Sequence, residues 1–182
     1  VDTTGQTLTL APLHDAHGSE VLPERKLAYD YLVLATGSQS NDFGTPGVRD
    51  NCLFMDSRAQ AERFRERFLN ACLHANHESK PVSVAIVGGG ATGVELAAEL
   101  HHAVSMLNFY GHEHLDRKHL QVDIIEAAPR ILPVLSERVS ATATKRLEGL
   151  GVKVRTGVMV AEATPEALVP KDGDPIKADL LV

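Results

Sequence analysis

Apolar positions along this chain repeat with two periods, and the changes between them mark out its elements. "VSVAIV" (Val82 to Val87) is a nearly continuous apolar run, as a strand covered on both faces requires. "VDIIE" ending at Glu126 and the alternating "VKVRT" starting at Val152 predict two more strands. Between them the period becomes helical. Ala61, Phe64, Phe68, Cys72 and Ala75 share one face of a helix expected from about Ser57 to Ala75, with Ser57 and Gln60 spaced as a capping box. A second helix runs from the glycine cluster at Gly88 to about Leu107, with Gly93, Ala97, Leu100, Val104 and Leu107 facing inward. Val139, Ala143, Leu147 and Leu150 predict a third, stopping at Gly149 to Gly151. Strand and helix alternate, so the fold class is α/β, a Rossmann-like parallel sheet with right-handed crossovers.

The ends of the chain follow another pattern. Residues 1–25 and the stretch after Gly157 have short alternating runs separated by turn residues, which predicts a β-meander in each. "YLVLA" (Tyr31 to Ala35) is a continuous apolar run expected to lie inside a parallel sheet. "NDFGTPGVRDN" (Asn41 to Asn51) has the glycine and proline of a linker, so two domains are expected, 1–55 and 56–182. "KADLLV" at Lys177 to Val182 echoes "AYDYLV" at Ala28 to Val33, each run entered through an aspartate. On this plan the second domain is expected to be cut at its last strand, and the first to lack its opening strand and glycine turn. Uncovered strands seek partners, and a homodimer through them is the corresponding expectation.

Composition narrows the function classes. The chain has 182 residues, 43% of them hydrophobic and 23% charged, the balance of a soluble globular protein. A net charge of −6 and the interrupted basic run "RFRERF" argue against a nucleic-acid surface. No apolar run reaches the ~18–20 residues that span a bilayer, and the first residues do not read as a signal peptide. Cys52 and Cys72 form no CxxC pair, so no redox dithiol or zinc site is signalled, and a reducing cytoplasmic setting is expected. The nine histidines lack the cysteine or carboxylate companions of a ligand set, so no metal is expected.

The chemistry concentrates in "VAIVGGGATGVELAAEL", Val84 to Leu100. Gly88, Gly90 and Gly93 fill a G-x-G-x-x-G pattern, which gains force because it follows an apolar strand and opens a helix. Bare glycine backbone lets a pyrophosphate approach, and the unpaired N–H groups of the first helical turn point at it. Gly88, Gly89, Gly90, Ala91, Thr92 and Gly93 are therefore candidate cofactor-binding residues. Such a turn needs an acid at the end of the next strand for the adenosine ribose hydroxyls, and Glu126, with Ala127 beside it, takes that place. Glu126 lies 33 residues after Gly93, where a minimal unit has about 20. The polar segment "NFYGHEHLDRKHL" supplies the excess as a surface insertion. Asp123 ranks below Glu126 because it sits near the strand start on the other face. A carboxylate at position 126 favours NADH over NADPH, with Arg130 the residue that could offset this by reaching a 2′-phosphate. Glu95 has two readings: the partner of Thr92 in a T-x-x-E capping box, or a carboxylate facing the nicotinamide end.

With these residues placed, the chain resembles the type II NADH:quinone oxidoreductases, flavoproteins of two dinucleotide domains. The resemblance rests on "YDYLVLATGSQSNDFGTPGV", the glycine-rich segment above and "IIEAAPRILPVLSERVSATATKRLEGLGVKV", and it covers essentially the whole chain. It implies that the turn at Gly88 is the second of the family's two and takes NADH, while FAD is held by the first. It also implies that 1–55 is the tail of the FAD domain, with Ala35, Thr36 and Gly37 near the flavin, that 56–182 is the NADH domain, and that Glu95 lies near the reacting rings as a catalytic residue. The implied parent passes hydride from NADH to FAD and electrons to a quinone, attached peripherally to the cytoplasmic face of the inner membrane. Another flavin reductase acting on a disulfide, ferredoxin or sulfide shares this architecture, and a non-enzymatic nucleotide-binding module remains a further alternative.

Overall fold

The computed structural model describes residues 1–37, 39–78, 80–109 and 119–182, apart from the side chains of 108 and 109. The polar insertion expected after the second helix falls largely on 110–118, outside the described residues. The chain forms two compact units, Val1–Ser38 and Gln39–Val182.

In the first unit, β1 (Thr7–Leu10) pairs antiparallel with β4 (Arg25–Ala28), and the hairpin of β2 (Leu13–His14) and β3 (Glu20–Leu22) is nested between them. The expected meander is thus a nested hairpin. The turn linking β2 and β3 is held by Asp15, whose carboxylate accepts from the amides of His17 and Ser19. The expected buried strand Tyr31 to Ala35 is not formed. Residues 32–37 are irregular, and Tyr31 and Val33 are 94% and 84% exposed. An apolar run becomes a strand only when a neighbour meets its N–H and C=O groups, and among the described residues none pairs with this one.

The second unit is built around a parallel sheet of β5 (Val82–Val87), β6 (Leu120–Glu126), β7 (Lys153–Thr156) and β11 (Leu180–Leu181), in the order β11-β5-β6-β7. The last strand in sequence lies beside the first. Chain direction across the sheet therefore reverses next to β5, creating a topological switch point at its carboxyl end. Three helices accompany the sheet. The helix α2 (Arg58–Glu78) starts at the predicted box, where Ser57 Oγ accepts from Gln60 N and Gln60 Oε1 accepts from Ser57 N. It buries Phe64, Phe68, Cys72 and Ala75 and extends three residues beyond the expected end. The helix α3 (Ala91–Phe109) buries Ala97, Leu100 and Val104 as its stripe requires. The helix α4 (Glu137–Leu150) ends on Gly151 at φ 97°, a left-handed stop. Leu147 is buried and Ala143 and Leu150 pack on the core as expected, but at the start of the stripe Ser140 lies inside, its Oγ donating to the carbonyl of Ile131, and Val139 is 45% exposed.

A meander of β8 (Val160–Ala163), β9 (Ala167–Pro170) and β10 (Ile176–Lys177) follows β7. The segment read as a linker instead docks on this meander. It contains the short helix α1 (Val48–Asn51), Asn51 Nδ2 donates to Ala163 O, and Pro46 O accepts from Ala163 N. Gly47 is required there, since a Cβ would stand 2.0 Å from Ala163 O. Leu53 is buried in the main core and its amide bonds Leu181 O. The contact boundary thus falls between 38 and 39, ahead of the 55/56 division expected from glycine and proline content.

Candidate functional site

The turn between β5 and α3 lies at the carboxyl edge of the sheet. Gly88 adopts φ 110°, a left-handed value that disfavours other residues. Its amide donates to Ile125 O of the adjacent strand. Gly93 allows the helix to approach, since a Cβ there would meet Gly88 O at 2.1 Å. Gly89 and Gly90 differ sharply. Gly89 is buried, and an added Cβ would stand 2.7 Å from the Ile131 side chain; Gly90 is exposed, with nothing within 4 Å of that position. Ala91 and Thr92 are also exposed. The open part of the turn is thus Gly90 to Thr92, where the first amides of α3 have no partner four residues back.

Glu126 meets this turn. Its Oε2 accepts from Gly89 N at 2.7 Å and its Oε1 from Ala128 N at 2.7 Å. On the other side of the same residue, Leu132 N donates to Gly89 O at 2.7 Å. Arg130 is occupied locally, donating to the carbonyls of Leu132 and Pro133. Asp123 is paired with Arg155 of β7.

A cleft of about 820 Å³ opens beside the turn, its lining including Val87, Gly88, Glu126, Met159 and Lys171 together with Asp42. The Arg49 guanidinium beside Asp42 holds that carboxyl below its usual range. A smaller space of about 160 Å³ on the switch-point side is lined by Cys52, Met55, Thr92, Gly93, Leu96 and Val182. Burial pushes the Cys52 and Cys72 thiols up to about 11, so both are protonated and poorly nucleophilic near neutrality.

Glu95 is exposed, the fifth residue of α3. The capping box expected between Thr92 and Glu95 is absent among the described hydrogen bonds. The helix begins at Ala91, with Gly90 O accepting from Val94 N, which puts Thr92 inside the helix rather than at its cap. Ala35, Thr36 and Gly37 are exposed and irregular. Sequence reasoning missed Leu132, the backbone partner of Gly89 and a leucine at φ 50°. Its only signal was its place in the loop directly after Glu126.

A strand, glycine turn and helix at a switch point, with an acid from the next strand on the turn, define a dinucleotide-binding α/β domain. The family model described as pyridine nucleotide-disulphide oxidoreductase matches residues 1–182, and the chain belongs to that family. It is similar to the type II NADH:quinone oxidoreductase of Haemophilus influenzae, 44% identical over 95% of this chain and 43% of that protein. It is also similar to the external alternative NAD(P)H-ubiquinone oxidoreductase B1, mitochondrial, of Arabidopsis thaliana, 34% identical over 84% of this chain and 28% of that one. The chain thus spans less than half the length of these relatives. Among solved structures, NDH2 from Plasmodium falciparum in complex with NADH superposes with a TM-score of 0.72 at 24% identity, covering 100% of this chain and 38% of that one. A ferredoxin reductase from Rhodopseudomonas palustris superposes with a TM-score of 0.63 at 24% identity. Among the described residues no helix is long and apolar enough to cross a membrane, and no group of three or more His, Cys, Asp or Glu could hold a metal ion.

Proposed function

We propose that this chain is the NADH-binding part of a type II NADH:quinone oxidoreductase. The carrying observation is the Glu126 carboxylate seated against the glycine turn at the mouth of the large cleft. The residues present fit a dinucleotide: Gly90 leaves room for a pyrophosphate, and the adjoining cleft is of a size for the adenosine half. Glu126 accepts one backbone bond on each oxygen, and each oxygen has a further lone pair for a ribose hydroxyl. The second unit, from Gln39, is the NADH domain on this reading, and Val1–Ser38 is the tail of an FAD domain. In the complete enzyme FAD, when bound, would supply the hydride-accepting and electron-carrying chemistry between NADH and quinone. Ala35 to Gly37 are exposed and irregular here, and no step through FAD is assigned to this chain. Its own residues bind and orient NADH, with Glu95 at the nicotinamide end. Attachment of the parent to the cytoplasmic face of the inner membrane belongs to the same proposal.

The test is cofactor preference. A 2′-phosphate about 4 Å from the Glu126 carboxylate is opposed by roughly 4 kcal/mol per unit charge at an effective dielectric of about 20. At ~1.4 kcal/mol per tenfold, NADH should bind roughly a hundredfold or more tighter than NADPH. Because Arg130 is tied to two carbonyls, it does not offset this penalty. Equal dissociation constants by calorimetric titration would remove Glu126 from the site. Self-association is a second part of the proposal, supported by the exposed side chains of Tyr31, Val33 and Leu34. Light scattering should show a dimer, and a strict monomer at high concentration rejects it.

A further inference from the structure

We infer that Glu126 is a positioning residue for the phosphate turn as well as a ligand of the ribose, because Glu126 and Leu132 together clasp the backbone of Gly89. The inference rests on the dinucleotide reading above and deepens it. Gly89 is buried, its N–H is taken by Glu126 Oε2 and its C=O by Leu132 N, each at 2.7 Å. Both backbone polar groups of Gly89 are therefore committed to the loop after β6, which fixes the two peptides that flank it, and the Ile131 side chain closes over its Cα. That loop is itself braced. Ala128 N holds the other oxygen of Glu126, Ser140 Oγ fixes the carbonyl of Ile131, and Arg130 caps the carbonyls of Leu132 and Pro133. Leu132 is kept at φ 50°, a conformation a leucine adopts only when its surroundings dictate it.

Gly89 thus does not present its amide to a ligand. It is the fixed point from which Gly90, Ala91 and Thr92 are displayed, and the carboxylate that selects the ribose also sets the geometry of the amides that bind the diphosphate. Preset donors bind more tightly because less ordering is left to do on association.

The two roles predict opposite signs for a ligand that lacks ribose hydroxyls. With 2′,3′-dideoxyadenosine diphosphate, a carboxylate acting only on the ribose has nothing to hold and repels the phosphates through its charge, so Glu126→Gln would leave binding unchanged or tighten it. The clasp predicts weakening. Glutamine cannot accept from both amides with one carbonyl oxygen, and its NH₂ faces a donor. The expected result is a roughly tenfold loss of affinity for dideoxy-ADP, the scale of one charge-assisted hydrogen bond to the backbone. Glu126→Asp keeps the charge but is one methylene short of bridging Gly89 and Ala128, and it should also weaken dideoxy-ADP. It decides the matter if the glutamine variant does not fold. Titration calorimetry of the 182-residue chain with NADH, ADP and dideoxy-ADP reads all arms. Wild-type protein that binds NADH, with dideoxy-ADP affinity unchanged or raised in the folded variants, overturns the clasp and leaves the dinucleotide reading intact. Wild-type protein that binds neither NADH nor ADP overturns both.

Discussion

Four glycines in one turn do four different jobs, and substitution by alanine should separate them. At Gly90 an added methyl meets open space and the backbone is not left-handed, so Gly90→Ala should leave the melting temperature nearly unchanged. It should nevertheless weaken NADH, because the methyl occupies the place a phosphate needs. Gly93→Ala should do the reverse first. Its Cβ falls 2.1 Å from a backbone oxygen, forcing the helix off the strand at a cost of about 1–3 kcal/mol, the range for overpacking. Thermal melts with and without NADH distinguish the two, and equal destabilisation by both variants would contradict this division of labour. Glu95 is a different case, an exposed carboxylate on α3 with no cap bond among the described residues. In the complete enzyme Glu95→Gln should slow flavin reduction by NADH in rapid mixing while the melting temperature stays put; normal rates would reject a catalytic role.

At the scale of elements, the sheet and its helices were legible because their signals are local. "VSVAIV" is apolar on both faces and became β5 residue for residue, and the Ser57 and Gln60 box formed as spaced. The failures have one cause, which is that the deciding partner lies far away in sequence. Asn41 to Asn51 has the composition of a linker, but Ala163, more than a hundred residues on, offers the N–H and C=O that dock it. Tyr31 to Ala35 has the pattern of a buried strand and no described neighbour to complete it. At the candidate site, Gly88, Gly90 and Gly93 followed from a spacing rule and Glu126 from its place at the end of a strand, whereas Leu132 could not, since a backbone N–H carries no side-chain signature. One distant partnership does explain a sequence feature, the aspartate that enters the last strand. Asp179 Oδ2 accepts from both Ser83 N and Ser83 Oγ at 2.7 Å, pinning the two-residue β11 against β5 in register. Asp179→Ala should lower stability by about 1–2 kcal/mol, as expected for losing hydrogen bonds to a charged group in an exposed setting. A denaturant midpoint equal to wild type would show that the apolar pair Leu180 and Leu181 holds the register alone.

At the largest scale, the second unit sets the last strand of its parallel sheet, β11, beside the first, β5, and this has a kinetic consequence. The strands β5, β6 and β7 are joined through intervening helices and can zip up in chain order, but β11 must return across 96 residues to reach Ser83. Long loops close late because their entropy cost comes before any contact repays it. The aspartate clasp should therefore be missing from the transition state and present only in the finished structure. If so, Asp179→Ala leaves the folding arm of the chevron where it was and raises the unfolding arm about 5- to 30-fold, the full equilibrium loss appearing on one limb. The strand beside the switch point is then the last piece of this sheet to arrive and the first to leave, its residence there timed by the one carboxylate at its entrance.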